Sequence, residues 1–221
     1  MSKLKNFVTS LHQATKRNYL ERMNDNKIFC MKISKKYGAE YWDGNRRFGY
    51  GGHKYIKGRW EKVARRLINT YKLNNSSSIL DIGCGKGYLL YEIKKILPKI
   101  KILGIDKSRY AIQNSKPEIK KFLKIGIAEK KMNFSKNSFD LVISLGCLHN
   151  LKIFELEIAI KEINRISKKA YIMVESFRSN TELFNLQCWA LTCESFLSPK
   201  DWKWIFKKLK YKGDYEFIYF K

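Results

Sequence analysis

Apolar positions divide the chain into two rhythms. Trp60, Val63, Ala64, Leu67, Ile68 and Tyr71 recur at helical spacing, which predicts a helix with one buried stripe. Asn74 to Ser78 is a turn cluster. Beyond it, short apolar runs near 78–82, 101–105, 122–127, 139–144 and 170–175 alternate with helical stretches such as FELEIAIKEINRI. That alternation predicts βαβ units and a parallel sheet. Ser198 followed by Pro199 opens another helix, and DYEFIYFK reads as a final strand. Before residue 60, residues 1–10 read as frayed, and 11–37 as helical with a break at Asn24-Asp25-Asn26. Residues 181–196 read as a helix draped over the sheet.

Composition narrows the class. The 221 residues suffice for one α/β domain with an extension, divided as 1–75 and 76–221. No apolar run approaches the ~18 residues of a membrane span, and no secretory h-region is visible. The five cysteines include no CxxC pair, so zinc ribbons are unsupported, no metal site is expected, and free thiols in a cytoplasmic protein are. The net charge of +25 admits a nucleic-acid partner. Against that, lysine outnumbers arginine 35 to 10 and isoleucine outnumbers alanine 24 to 8, a pattern of composition rather than of a patch.

The chemistry is concentrated in ILDIGCGKGYLLYEI. Asp81 precedes Gly83, Gly85 and Gly87, giving G-x-G-x-G, with Tyr88 where a dinucleotide fingerprint has its last glycine. Glycines there let the backbone approach a ligand, and Asp106 at the next strand end can accept from ribose hydroxyls. This combination means a nucleoside-containing cofactor. ILDIGCGKG, then LGID, then SFDLVIS, resembles the class I S-adenosylmethionine-dependent methyltransferases over about residues 78–175. The resemblance implies a Rossmann-like parallel sheet with helices on both faces, an antiparallel C-terminal strand and a helical N-terminal extension. It implies that Asp81 and the glycine turn hold the methionine end of the cofactor, Asp106 the ribose, and the segment around Ala128 the adenine. The chain has Gly126-Ile127-Ala128-Glu129 where the family often has G-D-A, so Glu129, a carbonyl or water would serve the adenine amine.

An acceptor would sit beyond the strand ends. His149, after the fourth strand, is a candidate general base or a helix-orienting residue. Glu175, after the fifth, is a second catalytic candidate, for the acceptor or for an arginine, or a structural partner. Asn150 reads as a helix cap, Cys147 as packing, and Trp189, Trp202 and Trp204 as core. The segment YWDGNRRFGYGGHKY reads as a lid. Its glycines, 51 and 52 included, supply hinges, and Trp42, Arg46, Arg47, Tyr50 and His53 are candidate substrate contacts, the arginines for an anionic acceptor. The expectation is methyl transfer to O or N of a small molecule such as a sugar or nucleotide-sugar. An RNA methyltransferase, or an S-adenosylmethionine-binding protein without catalysis, are the alternatives.

Overall fold

The computed structural model describes residues 2–50 and 53–221. Helices α1 (Thr9–Gln13), α2 (Tyr19–Asn24), α3 (Lys27–Ser34) and α4 (Ala39–Trp42) lead to α5 (Glu61–Tyr71). Strands and helices then alternate: β1 (Ser78–Ile82), α6 (Tyr88–Ile96), β2 (Lys101–Asp106), α7 (Arg109–Gln113), α8 (Pro117–Lys120), β3 (Leu123–Ile125), β4 (Leu141–Leu145), α9 (Ile153–Ile166), β5 (Ala170–Ser176), α10 (Asn180–Trp189), α11 (Pro199–Lys208) and β6 (Asp214–Tyr219). The sheet order is β3-β2-β1-β4-β5-β6. The direction in which successive strands are added reverses between β1 and β4, the switch point where ligands bind in open parallel sheets.

Both faces are covered. Leu156, Ile160 and Ile163 of α9 and Trp202 of α11 pack with Leu80, Val142 and Ile172 on one side. Val63 and Leu67 of α5 and Leu90 of α6 pack with Ile79, Leu141 and Tyr171 on the other. Burial on two faces explains why the strands read as continuous apolar runs rather than alternating ones.

Four expectations are corrected. β6 is parallel to β5, pairing Tyr171 with Asp214 through Ser176 with Tyr219. The α10–α11 crossover carries the chain back to the start of β5, so the last strand enters in the same direction. The N-terminus is not frayed: Lys5 N–H donates to Tyr215 O at 2.8 Å, and Tyr215 N–H donates to Lys3 O. The Glu216 carboxylate accepts from the amides of Phe7, Val8 and Thr9 and from the Tyr171 hydroxyl. The helix expected over 181–196 stops at Trp189, because the amides that would continue it have other acceptors. Leu191 and Thr192 donate to the Tyr50 hydroxyl, and Glu194 and Ser195 to His149 O. Trp204 is 63% exposed and is not core, whereas Trp202 is fully buried.

Candidate active site

Strands β1, β2, β4 and β5 end on one side of the sheet, and two cavities open there. The larger, about 320 Å³, is bordered by Asp81, Gly85, His149, Glu175, Tyr50 and Trp189, among others. The smaller, about 90 Å³, is bordered by Asp106, Gly126, Ala128, Glu129, Cys147 and Tyr37, among others. Tyr41, Trp42, Gly83 and Gly146 border both, so the two meet beside the glycine turn.

That turn is shaped by backbone that side chains disfavour. Gly83, Gly85 and Gly87 all have positive φ. A Cβ on Gly83 would lie 2.5 Å from Cys147, and one on Gly85 would lie 2.7 Å from the Trp42 ring. Asp106 holds the turn from the next strand, accepting from Gly85 N–H and Ser108 N–H at 2.8 Å each. These bonds favour its charged form, but burial is the larger effect and its pKa is raised. Asp81 is pushed up to about 8, first by burial and then by the neighbouring Asp106. Among the described residues no cation offsets these two effects, so a cationic ligand would be its natural partner.

His149 and Glu175 form a buried pair. Glu175 N–H donates to His149 Nδ1 at 3.3 Å, so the imidazole proton is on Nε2, facing Glu175 Oε2 at 3.3 Å. Both ring nitrogens are engaged by one residue, and burial lowers the His149 pKa to about 3. Burial raises Glu175 to about 7, with the nearby Arg17 charge pulling the other way. Of the two catalytic candidates, Glu175 is the one able to exchange a proton near neutrality; His149 orients it. Asn150 does not cap α9. Its side chain bridges Gly146 O and the Thr192 hydroxyl, and Glu155 caps Lys152 N–H instead. Cys147 packs against the turn, its thiol pushed up to about 12 by burial.

The segment 41–50 closes over this mouth. Trp42 Nε1–H donates to Ser108 Oγ at 2.8 Å and to Tyr37 O. Asp43 receives both of its oxygens' contacts from the buried Lys86 ammonium, at 2.6 and 2.7 Å, and one from Tyr110. This clasp joins the segment to the glycine turn. His53 donates from Nδ1 to Tyr41 O and borders the larger cavity, as does Tyr50, whose hydroxyl is engaged by Leu191 and Thr192. Arg46 and Arg47 are not brought to the cavity: Arg47 pairs with Asp25 at 2.5 Å, and Arg46 lies over the Trp189 ring and reaches Lys16 O. Gly51 and Gly52, the expected hinges, lie outside the described residues. Besides Lys86, three basic bordering residues were not read from the sequence. They are Arg17, stacked between Trp189 and Phe220, Arg59, and His12, whose pKa burial lowers to about 4. A single basic residue in a lysine-rich chain carries no signal of its own. Among the described residues no cluster fit to hold a metal occurs.

The arrangement fits S-adenosylmethionine. A carboxyl with no cation beside it among the described residues and a glycine cradle border the larger cavity, and the ribose-type acid and Ala128 the smaller. A methyltransferase-domain family model matches residues 73–213. The chain is 31% identical over 136 residues to mouse (Mus musculus) mitochondrial arginine-hydroxylase NDUFAF5, covering 61% of this chain and 38% of that protein. It is 30% identical over 91 residues to malonyl-[acyl-carrier protein] O-methyltransferase of Legionella pneumophila, covering 40% and 31%. The chain thus spans under two-fifths of the length of these curated relatives. The protein solved in complex with the Haloferax volcanii Trm112 methyltransferase activator shares the fold, with a TM-score of 0.53 at 20% identity, covering 69% of this chain and 72% of that one. With its glycine turn, its two strand-end acids and a family match over most of the sheet, the chain belongs to the methyltransferase-domain family and has S-adenosylmethionine as its cofactor.

Proposed function

We propose that the protein transfers the methyl group of S-adenosylmethionine to an oxygen or nitrogen of a small acceptor, with Glu175 receiving the acceptor's proton. The observation that carries this reading is the shared cavity. Glu175 and Asp81 border one space at the ends of β5 and β1, with the glycine turn beside them and Trp42 above. Bound there, S-adenosylmethionine supplies a sulfonium-activated methyl group. Asp81 and the glycine turn hold its methionine end, Asp106 its ribose, and Ala128 and Glu129 face its adenine. Methyl transfer needs alignment and exclusion of water more than it needs side-chain chemistry. Trp42, Tyr50 and His53 exclude water as a lid. Glu175, kept in place by His149 and near neutrality in pKa, accepts a hydrogen bond and then the proton from the acceptor's hydroxyl or amine.

Arg17, whose buried Nε–H has no partner among the described residues, favours an acceptor with a negative group, the role first given to Arg46 and Arg47. Enclosure beneath Trp42 supports a metabolite-sized acceptor over RNA, and the five free cysteines support a cytoplasmic setting. An oxygen acceptor is what the name of the malonyl-[acyl-carrier protein] relative states of that protein.

The test is an untargeted one. Methyl-labelled S-adenosylmethionine is incubated with the protein and a metabolite extract, and labelled products are sought, with Glu175→Gln as the control. Labelled small molecules that vanish in the control are expected. Label confined to RNA, or S-adenosylmethionine binding with no transfer at all, would overturn the proposal.

A further inference from the structure

S-adenosylmethionine ends in an α-amino acid, whose ammonium and carboxylate both need partners when taken from water. Asp81 answers the ammonium. The carboxylate needs a cation or several amide donors in the same space. Lys86 is the cation nearest in sequence to the glycine turn, but its ammonium is held by both oxygens of Asp43. Arg17 borders the cavity, but its four terminal N–H groups are engaged by His12 and Thr15, which leaves a single buried Nε–H and not the parallel pair that a carboxylate takes. His12 and His53 are kept neutral by burial.

Arg59 remains. It borders the larger cavity with Trp60, Tyr88 and Asp81. It sits in the turn before α5, where its N–H donates to Ile56 O and Gly58 takes a positive φ of 76°. The acid closest to it in sequence, Glu61, is paired with Arg65 at 2.8 Å. Among the described residues no acceptor engages the Arg59 guanidinium.

We infer that Arg59 receives the carboxylate of the cofactor's methionine end, so that Arg59 and Asp81 together recognise a zwitterion. A planar guanidinium matches a carboxylate through two parallel N–H···O bonds. The inference rests on the cofactor assignment. It concerns a residue before the sheet, in the turn that connects the lid to α5, so the turn and the lid would be tethered to the bound ligand.

Calorimetry tests it with two ligands, S-adenosylmethionine and its decarboxylated analogue, on wild type, Arg59→Ala and Arg59→Lys. The wild type should bind the parent compound about 10–100-fold tighter than the analogue, the range for a charge-assisted pair. Arg59→Ala should lose that preference by weakening the parent alone. Arg59→Lys should restore part of it, since it returns the charge without the fork. Equal weakening of both ligands by Arg59→Ala would mean a structural role, and no weakening would mean no contact; either overturns the inference. Thermal melts check folding, and the lysine variant is read if alanine does not fold. A wild-type protein that binds neither ligand removes the cofactor assignment and this inference together. That outcome is distinct from wild-type binding with no preference between the ligands, which removes the inference alone.

Discussion

Asp81 should make cofactor affinity depend on pH with a defined sign. In the free protein its carboxyl is raised to about 8 by burial and by Asp106, so at pH 7 most molecules carry it protonated. The cofactor's ammonium favours the carboxylate, so below pH 8 binding must release a proton. Each unit below the pKa then costs a factor of ten, about 1.36 kcal/mol. Between pH 7 and pH 5 affinity should fall about 100-fold, or ~2.7 kcal/mol. Above pH 8 the ligand's own amine begins to lose its proton, so affinity should peak near there. Glu175 titrates near 7 in the same cavity, so the measurement belongs in the Glu175→Gln background. The assay is calorimetry across pH in buffers of differing ionisation enthalpy, which counts protons released. Asp81→Asn should bind weakly and show neither the release nor the slope. A dissociation constant flat from pH 5 to 8, with no buffer dependence, would refute the reasoning. The same shift predicts the opposite trend in stability without ligand. Because the folded pKa lies above the ordinary one, this group's stabilisation is complete below pH ~4 and is lost as pH rises through about 8. Asp81→Asn should therefore melt higher than wild type at pH 8.

Asp106→Ala should weaken cofactor binding by about 1.5–3 kcal/mol through the lost ribose contact, and also lower the melting temperature, because Gly85 and Ser108 lose their acceptor. Glu175→Gln should keep cofactor affinity and lower turnover by ~10²–10⁴, and His149→Ala should lower it less, as an orienting residue; the check is single-turnover rate on the labelled acceptor. Lys86→Met should speed cofactor dissociation in stopped-flow by loosening the Asp43 clasp; an unchanged rate would mean that the clasp does not gate release. Glu216→Gln should cost about 3 kcal/mol in denaturant unfolding and expose residues 3–9 to protease, since three amides and two hydroxyls lose a charged acceptor.

Much of the sheet was legible because its signals are local. The runs at 78–82 and 141–145 are apolar since both sheet faces are covered, and Gly83, Gly85 and Gly87 mark a turn that only glycine adopts easily. Asp106 was legible from spacing alone, as the next strand end after that turn. The illegible parts depend on partners far away in sequence. The direction of β6 is set by how α10 and α11 return the chain. The fate of Arg47 is set by Asp25, twenty-two residues earlier. His149 was legible as standing beyond the fourth strand, where it borders the larger cavity, but not that a single neighbour engages both of its nitrogens. Arg17, Arg59 and Lys86 differ from most other cations in bordering the larger cavity, and lysine-rich composition hides that difference.

The stitching of Lys3–Thr9 to Tyr215 and Glu216 joins the two extremes of the chain. During synthesis the first segment emerges long before its partner strand exists. Closing a loop of roughly 210 residues costs about 5 kcal/mol of chain entropy by itself, so this contact waits until the sheet has formed. Val8, Leu11 and His12 border the larger cavity, so the cavity is completed by the same late event. A sheet of β1 to β5 alone would lack one wall of that cavity, the one that Val8, His12, Ile218 and Phe220 provide. The larger cavity is thus enclosed only once β6, the last of the six strands in chain order, has joined the sheet.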